Sequence, residues 1–318
     1  MKLLLLVAAV LMGASLLRAQ DDASAPSKLV DTFPGKFVGP ERCAECHKPQ
    51  FEVWKASKHA VSFKTVYREA TAPDILVAAG GDHSMKKNST CVKCHFTPAP
   101  GEGGGEVVAG VSCEHCHGPA SGWIKTHQDY GGKKENETPE HKAARQAAAV
   151  KAGMVYPHDL YALATRCVEC HGLLKPGVDG AVLAKMVHAN HPMNDKYELV
   201  RYSQGTVRHR FYPPHLDVNA EMSPEELARL WVIGQAAKAA AAQAAVARAQ
   251  DPAYKKIAEQ QLEAARTELE RVKDVPEAAA FLAHPGKESG EALAKAIADK
   301  DLTAQVKDRL PKAKSELR

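Results

Sequence analysis

Cys43-Ala44-Glu45-Cys46-His47 opens a pattern that returns three times, as Cys91-Val92-Lys93-Cys94-His95, Cys113-Glu114-His115-Cys116-His117 and Cys167-Val168-Glu169-Cys170-His171. All 8 cysteines of the 318-residue chain fall in these pairs, and a histidine follows each pair at once. No cysteine remains for an independent disulfide. Two thiols about one helical turn apart can form thioethers to the two vinyl groups of one porphyrin, and the next residue then lies beneath the iron as proximal ligand. The pattern thus predicts four covalently bound haem c groups, with His47, His95, His117 and His171 on the irons. Zinc is the competing reading, because two Cys-x-x-Cys pairs make a ribbon site. Ligation by four cysteines, however, gives no reason for a histidine after every pair. A disulfide framework leaves those histidines equally unexplained.

Composition agrees with the motifs. A chain that is 45% hydrophobic but only 6% aromatic is neither mostly disordered nor collagen-like, yet it is short of large apolar side chains. Four porphyrins served by about 180 residues would leave roughly 45 residues per ring, so the rings themselves would form much of the core. The formal charge of +4 falls to +2 without Lys2 and Arg18, a balance that gives no sign of a nucleic-acid partner.

Residues 1–19 read as a signal peptide, with Lys2 as the positive start, an unbroken apolar run from Leu3 to Met12 and a cleavage position at Ala19. An exported, soluble, periplasmic protein is expected. Leu17 is a poor residue three before the cut, which leaves an uncleaved anchor as the alternative. Residues 20–36 read as a polar linker and 37–222 as a tetrahaem cytochrome c domain. This domain is expected to be mainly α, with little regular strand, and to have short helices near Pro49–Ala60, Ser121–Gln128 and Glu140–Lys151. Residues 223–318 form an Ala-rich helical C-terminal extension. Ser223, Pro224 and Glu226 make a capping box, and Asp251-Pro252 restarts the signal. In the second helix Tyr254, Ala258, Leu262, Ala265 and Leu269 share one stripe. That stripe suits a hairpin packed on the main domain, or else a surface for docking or self-association.

Each iron needs a sixth ligand from the ten other histidines of the haem region, or from methionine. If the segment after Pro49 is helical, His59 lies up to about 18 Å from His47 at 1.5 Å per residue, too far to share its iron. His59 is therefore assigned to another haem. The same reasoning applies to His127, ten residues beyond His117. His209, in the basic run Arg208 to Arg210, is a third distal candidate. His83, carried by the Gly80-Gly81-Asp82 turn before Cys91, is a fourth, and His158, His188 and His191 stand level with it.

The stretch Phe37-Val38-Gly39-Pro40, the motif Cys43 to His47, and then Trp54, Ser57, His59 and Ala60 closely resemble the amino-terminal signature of the cytochrome c-554 family. Gly110-Val111-Ser112 leading into Cys113 to Gly118-Pro119 resembles that family's third haem site. The resemblance covers about residues 37–212 and implies a periplasmic tetrahaem carrier with closely packed haems. Three would have two histidine ligands and one an open or weakly filled position. By position, His59 and His127 match family distal histidines, His209 matches loosely, and the haem on His95 is the candidate open site. The Ala-rich tail departs from the family pattern, so the resemblance does not settle the physiological partner.

The reading is an exported tetrahaem cytochrome that passes single electrons between a redox protein donor and acceptor. It requires no substrate chemistry. The rival from the enzyme class is a multihaem oxidoreductase acting on a small nitrogen compound at one open haem. A third reading makes the tail a module for peripheral docking on a membrane respiratory complex.

Overall fold

The computed structural model describes residues 35–100, 105–193 and 196–318. Residues 1–19, read above as a signal peptide, and nearly all of the expected linker lie outside the described residues. The first motif begins in α1 (Pro40–Ala44), and His47 then caps α2 (Lys48–Ala56). Ser57 is extended, and its side chain accepts the Ala60 N–H to start α3 (Lys58–Thr65). The single helix expected over Pro49–Ala60 is thus two, and His59 swings away from the axis that carries His47.

Next come α4 (Ala72–Ala78), α5 (Ser89–His95) and a two-stranded antiparallel hairpin of Thr97–Pro98 with Val107–Ala109. The third motif is itself a helix, α6 (Cys113–His117). The short helical stretch expected over Ser121–Gln128 is two 3-10 turns, Ala120–Gly122 and Thr126–Gln128, and α7 (Pro139–Lys151) starts where the Thr138 cap places it. The fourth motif ends α8 (Leu160–His171), followed by α9 (Gly180–His188) and α10 (Leu199–Ser203). The tail supplies α11 (Pro224–Arg248), α12 (Pro252–Leu269), α13 (Pro276–Ala283), α14 (Lys287–Ala296) and α15 (Thr303–Val306). The capping box at Ser223 and the Asp251 cap both form. Among the described residues no helix is long and apolar enough to cross a membrane.

The composition changes at residue 222, but the packing does not. One core joins Cys91, Val92 and Phe96, through Tyr161, Ala164 and Val168 of α8, to Trp231, Ala236, Ala242, Tyr254, Ala265 and Leu293 of the tail. α11 is the hub of this core. It buries side chains on every side, because alanine lets neighbouring helices approach closely. The tail thus packs on the region of the motifs through one shared core. α14 lies so close on α8 that a Cβ at Gly290 would meet the Tyr161 ring at 2.1 Å.

The first and third motifs have a different setting. The second cluster of buried apolar residues is only Ala120, Trp123 and Ala149. α2 and α3 carry Phe51, Trp54 and Phe63, and all three are only half-buried. Helices of this kind need a large apolar group to cover them, and a porphyrin meets that need.

Candidate haem centres

α5, α6 and α8 each end on the histidine of their motif, and in the first motif His47 N–H closes a turn onto Cys43 carbonyl at 2.9 Å. Helical backbone brings the two cysteines of each motif within one turn and delivers the following imidazole to the same side. Burial pushes the Cys91 thiol up to about 12 and that of Cys116 to about 11, so both are neutral thiols.

The structure sets a second histidine opposite each motif histidine. Ring centroids are 6.3 Å apart for His47 and His127, 6.0 Å for His171 and His59, 6.1 Å for His95 and His191, and 6.2 Å for His117 and His209. Two imidazoles bound to one metal across bonds of about 2.0 Å put their centroids about 6.3 Å apart. Tyr197 stacks on His171 more closely, at 4.4 Å and 11°, while Phe63 and Phe96 also stand 6.3 Å apart, so the distance counts here because it recurs at all four motif histidines. Four matches to one coordination distance, each pairing a motif histidine with a histidine from elsewhere in the chain, show that these residues fit haem iron.

The second ring nitrogens support the same use. The Nδ1 atoms of His117, His127, His191 and His209 each meet a backbone carbonyl, of Val155, Ile124, Pro192 and Val207 respectively. A proton held on Nδ1 leaves the Nε2 lone pair for a metal. Burial lowers His95, His117 and His171 to about 4, and also lowers His47, His59, His127 and His191. These seven imidazoles are neutral at pH 7, the form that ligates. Among the described residues no three His, Cys, Asp or Glu side chains converge as a zinc site requires.

His59, His127 and His209 thus stand opposite motif histidines, while His83 does not. The His83 side chain is 86% exposed and its Nε2 lies 3.1 Å from Asp82, out on the turn. The residue facing His95 is His191, placed just past the end of α9. Its sequence signal was weak, because nothing local distinguishes it from His188.

The motifs fall into two neighbouring pairs. The Cys113 thiol hydrogen-bonds Cys43, and the Cys94 thiol hydrogen-bonds Cys170. Cys116 in turn lies near Cys167 and Cys170. First and third motifs are adjacent, second and fourth are adjacent, and the third and fourth join the two pairs. Trp54 Nε1 donates to the Val111 carbonyl at 2.8 Å and ties α2 to the approach of the third motif.

Helices ending on haem-tethering motifs, with paired imidazoles beyond them, define a mainly α c-type cytochrome. A family model described as cytochrome c554 and c-prime matches residues 42–118, and over that segment the chain is similar to the cytochrome c-554 family. Cytochrome c-554 of Nitrosomonas europaea is 30% identical over 145 residues, 42% of this chain and 57% of that protein. Dissimilatory sulfite reductase MccA of Wolinella succinogenes is 50% identical over 32 residues, 10% of this chain and 5% of that protein. The chain therefore covers little more than half of one relative and a small part of the other. No solved structure matches it. The similarity, together with the four Cys-x-x-Cys-His motifs, is that of a c-type cytochrome, a class that carries covalently bound haem c.

Proposed function

We propose that this chain is an exported tetrahaem c-type cytochrome that passes single electrons between protein redox partners. The supporting observation is the fourfold pairing: each motif histidine faces another histidine at a separation of 6.0 to 6.3 Å. Haem c would supply the one-electron iron couple. The eight cysteines tether it, His47, His95, His117 and His171 ligate from one side, and His127, His209 and His59 ligate from the other side of the irons held by His47, His117 and His171. Two strong nitrogen donors on an iron favour electron transfer over ligand activation. The adjacency of the motif cysteines would place the haems in the order first, third, fourth and second motif. Periplasmic location follows from the reading of residues 1–19, and the donor and acceptor are redox proteins.

Intact mass under denaturing conditions tests the haem count, because thioethers survive unfolding. Four haem increments on fully matured protein are expected. Three or fewer would defeat the reading.

A further inference from the structure

The resemblance to the cytochrome c-554 family leaves the haem on His95 open, but the structure puts an imidazole where a sixth ligand would stand. His191 is not carried there by a loose loop. α9 begins at an Asp179 cap, whose carboxylate accepts the Ala181 N–H at 2.8 Å, and buries Leu183, Ala184 and Met186 in the main core. It is wedged between α4 and α12, and a Cβ on Gly180 would already meet the Tyr254 ring at 2.6 Å. The helix is closed by Asn190 at φ 65°, a left-handed conformation that asparagine tolerates better than most residues. His191 N–H then donates to the Met186 carbonyl at 2.9 Å, which turns the chain back toward α5. There the imidazole holds Pro192 carbonyl with Nδ1 at 3.0 Å and faces His95 at 6.1 Å. The tail thus reaches this centre through α12, which braces the helix that delivers the ligand.

We propose that His191 is the sixth ligand of the iron bound by His95, so that this chain closes the haem its family resemblance leaves open. The inference rests on the tetrahaem reading and removes the vacant position that an enzyme of small nitrogen compounds would need. Axial occupancy decides between the two chemistries: an iron with two histidines resists external ligands, whereas an empty position takes carbon monoxide once reduced.

The test is carbon monoxide titration of the reduced, full-length protein, with haem count determined by mass on the same preparation so that a missing haem is told apart from an open one. Wild type is expected to bind no carbon monoxide, and His191→Ala about one per protein. His191→Met keeps six ligands and is expected to raise the potential of one haem of the set, since methionine in place of histidine does so in cytochromes. Wild-type uptake of about one carbon monoxide per protein, unchanged in His191→Ala, would overturn the proposal. If the alanine variant does not accumulate, stoichiometric uptake by wild type alone overturns it, and its absence together with the single raised potential in His191→Met supports it.

Discussion

Glu114 lies between two tethering cysteines and is 1% exposed, an expensive place for a carboxylate. Burial raises its pKa, and the N–H groups of Val38, Gly39 and Ala120, at 2.8 to 2.9 Å, oppose that shift. One side chain thereby pins the segment before the first motif, and the turn after the third, to α6. Glu114→Gln replaces an acceptor with a donor that faces other donors. A buried N–H left unpaired costs about 1–3 kcal/mol, so a loss of about 2 kcal/mol is expected in denaturant unfolding of the holoprotein. No measurable loss would show that this carboxylate does not hold the two segments.

A second clamp sits behind His127. Arg145 donates to the His127 carbonyl and grips Glu137 through two bonds of 2.6 and 2.7 Å, with Tyr130 beneath the guanidinium. The guanidinium holds Glu137 at about 2, below its unfolded value. A depressed carboxylate stabilises the fold above the unfolded pKa, and that contribution is lost as pH falls through the folded one. The His47–His127 centre is therefore expected to keep its low-spin spectrum in acid down to about pH 4 and to lose it between there and about 2. In Arg145→Met the loss is expected at higher pH. An identical acid transition in the two proteins would exclude the clamp.

At the scale of elements, the tail does work that composition concealed. The three carbonyls that follow the fourth motif need donors once α8 has ended. Gln261 Nε2 takes Gly172 at 2.8 Å, Tyr254 hydroxyl takes Leu173 at 3.1 Å, and an Arg248 Nη takes Leu174 at 2.6 Å. α11 and α12 thus cap the helix that carries His171. Truncation after Met222 is expected to yield protein that has lost native haem spectra, while Gln261→Leu costs about 1–3 kcal/mol with the fold retained. A truncated chain with four normal haem centres would restore the picture of an independent tail. On the opposite side, a Cβ at Gly110 would lie 2.1 Å from the His59 carbonyl oxygen. Gly110→Ala is accordingly expected to disturb the centre shared by His59 and His171 before the other three, seen as a spectral change in one haem.

What sequence could disclose divides along physical lines. The tethering cysteines and their histidines are legible because the thioether chemistry fixes a local spacing. His59 and His127 are legible by exclusion, since neither can fold back on the nearest motif histidine. His191 is not, because the end of α9 and its packing on α12 decide where that ring points. The caps from Gln261 and Tyr254 are hidden for the same reason, reaching 89 and 81 residues back along the chain. The capping residues at Ser223 and Asp251 show where the tail helices begin, but local signals carry no information on what a helix covers.

For the whole molecule, two pairs of motifs and one continuous core make the haems and the tail a single unit. The low aromatic content of 6% is explained if porphyrin covers the half-buried apolar side chains of α2 and α3. The order of adjacent thiols then describes a continuous route across the molecule, first to third to fourth to second motif, with the tail bracing its far end. The central claim is that four irons each lie between two histidines, and the spin state of the oxidised holoprotein tests it most directly. Low-temperature electron paramagnetic resonance, integrated against total iron, is expected to account for all four haems as low-spin ferric centres. A high-spin ferric signal integrating to about one haem in four of undamaged protein would contradict it.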